Sequence, residues 1–174
     1  MANNPIPRLE PIKVLASIIQ VELGLEAKQV LLSFENFPIP ETLGLFVALA
    51  YGVEEVVGAS DQNGLDLEGN FTEVQSVAML HHVEIDIMSF DSSARLRKEE
   101  VVMALNSYNA QESMEVNSMR IAAITTSFNT IQSLEPSKQL NRYRFTVSVY
   151  ALHQKVLLTP FYDSISPVEL VENP

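Results

Sequence analysis

Apolar positions in this chain follow two rhythms, and each predicts a different element. In "IKVLASIIQVEL" (12–23), Ile12, Leu15, Ile18, Ile19 and Leu23 recur at helical spacing, and Gly24 stands where a helix C-cap belongs. Strand rhythm follows. "QVLLSF" (29–34) is a short apolar run, and "ENFPIPETLG" (35–44) breaks it with Pro38 and Pro40. In "LFVALAYGVEEVVGA" (45–59), Leu45, Val47, Leu49, Tyr51 and Val53 alternate, which predicts a strand with a bulge at Gly52. "SDQNGLDLEGN" (60–70) is turn chemistry, with Asn63-Gly64 suited to closing a hairpin. Residues 71–90 hold neither Pro nor Gly and predict one very long strand, or two joined by a bend. Residues 45–90 thus read as one oversized hairpin.

Residues 92–108 return to helical spacing, with Ala94, Val101, Ala104, Leu105 and Tyr108 on one side and Asp91 or Ser92 as cap. A polar stretch, "NSYNAQESMEVNSM", separates this helix from an Ile- and Thr-rich run, 120–134, that predicts a strand with an irregular end. The clearest alternation lies in 142–158. Tyr143, Phe145, Val147, Val149 and Ala151 share one face, and Arg144, Thr146, Ser148 and Tyr150 share the other. The predicted fold is α+β: an antiparallel sheet with a long protruding hairpin and two main helices on one face. The organisation is a single domain over 1–174. It comprises a proline-marked N-terminal arm (1–11), a core (12–158) and an extended C-terminal tail (159–174).

Composition narrows the function. The 174 residues carry a formal net charge of −11, which repels phosphate backbones and argues against sequence-reading nucleic-acid binding. Such a charge still suits a wall that nucleic acid slides past. The absence of cysteine excludes disulfides, thiolate metal sites and thiol nucleophiles. The N-terminus does not read as a signal peptide, and the apolar runs are short of a membrane span.

Candidate chemistry is sparse. His81 and His82 point to opposite faces of a strand and read as half-exposed histidines rather than a metal pair. Glu84 and Asp86 share a strand face at about 7 Å, as an acid–base pair would, yet Met88 and Phe90 follow on the same face. The reading is a solvated surface half covered by a partner. "DQNGLDLEG" fails the spacing of a calcium loop. No phosphate-binding loop or nucleophile elbow is present. The expectation is no enzyme and no cofactor.

One cluster runs against the chain's charge. Arg95, Arg97 and Lys98 fall in the first turn of the 92–108 helix, where the macrodipole disfavours cations. Either Glu99 and Glu100 neutralise them locally, or they form a socket for the acidic surface of an identical subunit.

The order of elements resembles that of the tail terminator, or neck terminator, proteins of tailed bacteriophages. The similarity runs from about residue 12 to 165. It includes the first helix, the proline loop "FENFPIPET", and the strand–turn–helix "VEIDIMSFDSSARLRKEEVVMAL". It continues through the arginine-led final strand in "SFNTIQSLEPSKQLNRYRFTVSVYAL" and the exit "VLLTPFYDSI". The resemblance implies a homo-oligomer, usually a hexameric ring, in the virion's tail or neck. One face would meet the tail tube protein and the other the head connector, and DNA would pass an acidic lumen without specific binding. Glu54, Glu55, Asp61, Asn63, Gly64, Asp66, Glu68 and Glu73 on the hairpin would then face the lumen or tube. Met88, Phe90, Arg95, Arg97 and Lys98 would lie at a subunit or ring boundary. The alternatives are an acidic adaptor taking a peptide along a sheet edge, a DNA mimic, or another tail completion or head–tail adaptor component.

Overall fold

The computed structural model describes residues 9–32, 44–65, 71–125, 127–132 and 140–158. Most of the expected N-terminal arm, nearly all of the expected proline loop, residues 66–70 with Asp66 and Glu68, and the expected C-terminal tail lie outside the described residues.

Helix α1 (Pro11–Leu23) starts on a proline, whose missing N–H costs nothing in a first turn. It ends in a Schellman cap: Gly24 takes a left-handed φ of 64°, and Leu25 N–H donates to Gln20 O at 3.0 Å. Strands β1 (Val30–Leu32), β2 (Phe46–Leu65) and β3 (Phe71–Ser89) follow. The β3 terminus hands over to α2 (Ser93–Leu105) through a polar knot. The Ser89 hydroxyl oxygen accepts from Ala94 N–H, and Asp91 Oδ1 accepts from Ser93 N–H at 2.7 Å. Of the two cap candidates, Asp91 supplies the side-chain bond; Ser92 makes none. Hydrogen bonds from Ser93 also hold the Asp91 carboxyl below the usual carboxylate range.

Where a polar stretch was expected there is a third helix, α3 (Tyr108–Val116). Ser107 Oγ caps it by accepting from Ala110 N–H, and Ala110 and Met114, four residues apart, are buried. Tyr108, expected on the buried side of a longer α2, begins α3 instead and is 80% exposed. The Ile/Thr-rich run divides into β4 (Met119–Ile124) and β5 (Asn129–Gln132). β6 (Asn141–Leu158) closes the described chain.

The six strands form one sheet, ordered β1-β2-β3-β6-β4, with β5 also on β6. All pairings are antiparallel except β1 with β2, which is parallel, so the sheet is mixed within an α+β fold. The predicted alternation of β6 holds: Phe145, Val147, Val149 and Ala151 are buried, while Arg144, Thr146, Ser148 and Tyr150 are not; Tyr143, expected on the buried face, packs against the core half-buried. These residues join Val47, Leu49, Val83, Ile85 and Ile87 beneath the three helices. A smaller cluster of Leu31, Phe46 and Met88, with Phe90 and Leu140, occupies the opposite face.

Candidate functional site

Lengths decide where the helices stop covering the sheet. A 13-residue helix spans about 20 Å, and a 20-residue strand about 66 Å. β2, β3 and β6 therefore run on together beyond the helices as a three-stranded arm, paired as far as Leu65–Phe71 and Thr72–Leu158; β3 and β6 pair without a break, whereas β2 slips against β3 between Tyr51 and Glu54 and again between Val56 and Gly58. Burial changes accordingly. Residues 52–65 of β2 are all exposed, including Val53, Val56, Val57 and Leu65, and β3 is half-buried throughout 71–80. Asn63 and Gly64 do not turn the hairpin; they pair with Glu73 and Thr72 inside it.

The arm begins at a bulge. The β2–β3 register slips between Tyr51 and Glu54, as the sequence anticipated at Gly52. A Cβ on Gly52 would sit 3.1 Å from the His82 carbonyl oxygen, so glycine permits the strands' close approach. The slip brings adjacent glutamates against adjacent histidines. Glu54 Oε1 meets His81 Nδ1 at 2.9 Å on the helix side, and Glu55 Oε1 lies 3.6 Å from His82 Nε2 on the other. His82 Nδ1 also meets the Ser148 hydroxyl at 2.8 Å. His81 is not half-exposed as expected. It is 5% exposed, its ring against Tyr51 and edge-on to His153, and its Nε2 has no hydrogen-bond partner among the described residues.

Nearer the core, the open face carries an ionic lattice. Asp86 accepts from Arg144 Nε and Nη2, each at 2.8 Å, and from Arg142 Nη2; Arg144 Nη1 reaches Glu84 at 2.8 Å. Burial pushes the Asp86 carboxyl up, but the two guanidiniums outweigh it and hold the group below the usual carboxylate range. Asp86 is thus a buried, doubly paired anion rather than part of a solvated face. Met88, expected at an interface, is buried in its own chain's smaller cluster, and Phe90 packs against it half-buried.

The hairpin carboxylates divide between faces. Pairing across β2 and β3 puts Glu54, Asp61 and Glu73 on the helix side and Glu55 on the other. The described arm beyond Gly52 carries four carboxylates and one lysine, Lys155. The basic cluster sits apart, on α2, and is not confined to the first turn as expected: the helix starts at Ser93, so Arg95 lies in the first turn while Arg97 and Lys98 lie in the second, where the macrodipole penalty has faded. Arg97 pairs with Glu100 at 2.8 Å; Lys98 pairs with Glu99 and lies over the Phe128 and Tyr143 rings at 5.5 and 5.7 Å. Arg95 is exposed and makes no ion pair among the described residues. Local neutralisation therefore accounts for two of the three cations.

A cavity of about 310 Å³ lies between α1 and α3, lined by Val14, Ile18 and Val116 with Ser17, Asn109 and Glu112. Among the described residues no group of three His, Asp or Glu is placed to hold a metal ion, and no helix is long and apolar enough to cross a membrane. No protein-family model matches the chain, and no curated protein matches it.

Proposed function

We propose that this chain is a structural virion component that forms a ring at the head–tail junction of a tailed bacteriophage. It would terminate the tail tube, join it to the connector and leave a passage for DNA. The observation that carries this reading is the strand arm. A sheet open on both faces stabilises an isolated subunit poorly, because each exposed apolar side chain forgoes roughly 1.5–3 kcal/mol of burial. Val53, Val56, Val57, Leu65 and Val156 are exposed together on such an arm, a pattern suited to burial in an assembly.

Charge supports the same reading. Each lysine or arginine in a DNA path adds a phosphate contact that must be broken during passage. An arm with four carboxylates and one lysine offers little such drag. Arg95, exposed on α2 away from the arm, fits a subunit or ring boundary, where an acidic protein needs a positive counterpart. The long edge of β2 also favours a second reading, an adaptor that takes an extended peptide on that edge.

The test is reconstitution. Purified chain is added to phage tail tubes that lack their end ring, and the tubes are imaged and their lengths measured. Ring-capped tubes of fixed length support the proposal. Uncapped tubes, with the chain free in solution and binding an extended peptide, support the adaptor.

A further inference from the structure

The arm has two unlike edges. On the β2 side, β1 pairs only with residues 47–49, and no described strand covers 50–65. On the β6 side, β4 pairing ends at Ala151, and no described strand covers 154–158. Edges that no described strand covers are templates for strand addition, and neither carries proline to block it.

Three relationships select the occupant. The β2 edge strand is acidic, with Glu54, Glu55 and Asp61, whereas the charge on the 154–158 edge is Lys155. Asp61, Gln75 and Lys155 stand in one cross-strand row, so both charged side chains leave the same face at the same height along the arm. Finally, β2 and β6 are each antiparallel to β3 and so run parallel to one another. Copies related by rotation about an axis along the arm would therefore bring β6 of one beside β2 of the next in parallel, Lys155 toward Asp61. The competing twofold arrangement, β2 against β2, is antiparallel. Pairing all of 50–65 that way sets Glu54 opposite Asp61, carboxylate against carboxylate.

We infer that the arm docks a second copy of this chain head-to-tail, edge 154–158 of one copy along edge 50–65 of the next, with Lys155 facing Asp61. The inference rests on the self-association in the ring reading and specifies its contact. Strand tilt in a closed ring shifts the register by an even number of residues, because an odd shift would turn the side chains to the wrong face.

The chain has no cysteine, so cross-linking has no background. Full-length Asp61→Cys and Lys155→Cys variants, both at exposed positions, are oxidised alone and mixed, with Ala59→Cys and Asn63→Cys covering the even shifts. The inference expects a covalent dimer from Lys155→Cys mixed with one of the β2 variants, and none from any variant alone. A tandem variant should give a ladder. Three results overturn it: a dimer from a β2 variant alone, which marks twofold pairing; a stable oligomer by mass with no cross-link; or a monomer at every concentration and on tubes. The second leaves the ring reading standing and the third removes both. An extended peptide that blocks the β2 edge without self-association replaces the second copy with a foreign strand.

Discussion

Asp86 and Arg144 face each other across β3 and β6 in a two-pronged ion pair, Nε to Oδ1 and Nη2 to Oδ2, each 2.8 Å. Arg142, two residues earlier on the same strand face, closes on the same carboxylate. Removing Asp86 leaves two guanidiniums beside a buried apolar cluster, and among the described residues only Arg144 retains a carboxylate, Glu84. Both arginines are about a third exposed, so water softens the loss. Asp86→Ala should lower unfolding free energy by about 3 kcal/mol, the low end for breaking a buried pair. Urea denaturation measures it.

The same pair sets an acid limit. The folded carboxyl lies below the ordinary value of 3.8, so its contribution is complete above that value and is lost as pH falls through the folded one. Between about pH 5 and pH 2, wild type should lose stability more steeply than Asp86→Asn, which has no proton to gain there. Parallel curves would remove Asp86 from the acid response.

At the root of the arm, His81 and Glu54 differ in what each leaves behind. Glu54→Ala strands the buried His81 Nδ1 and should cost about 1–3 kcal/mol. His81→Leu removes the whole buried ring, including the unpartnered Nε2, and should stay within about 1.5 kcal/mol of wild type. The two thermal shifts, measured side by side, should therefore be unequal.

The basic cluster should separate by role. Lys98→Glu loses two ring contacts and a carboxylate partner, and should destabilise the subunit by about 1 kcal/mol. Arg95→Glu should leave subunit stability within about 0.5 kcal/mol, since it is exposed and an acid suits a helix first turn. On the ring reading it should weaken assembly most at low salt, where screening is least. Melting curves and sedimentation at two salt concentrations check both halves.

Much of the fold was legible because its signals are local. α1 declares itself through spacing and Gly24, the bulge through Gly52 in an alternating run, and β6 through its period of two. α3 was hidden because its buried apolar content is only Ala110 and Met114, its Tyr108 and Val116 being exposed; the Ser107 cap was the available signal. The Asp86–Arg144 and His81–Glu54 pairs are 58 and 27 residues apart in sequence and depend on strand register, which spacing does not fix across a bulge. A pair of acids two apart on one strand and arginines two apart on another was a usable hint. The expected hairpin turn at Asn63-Gly64 failed because pairing continued to Leu65. A favourable turn dipeptide does not end a strand whose neighbours keep bonding.

On the ring proposal, acidic arms line the passage. Electron microscopy of the purified chain bound to tail tubes, at a resolution that places side chains, tests it most directly. The expected result is a closed ring at the tube end, arms pointing along the axis, more carboxylates than cations along the channel, and Arg95, Arg97 and Lys98 off the DNA path. A ring in which those three residues line the channel, or a chain that stays monomeric with tubes present, would contradict it.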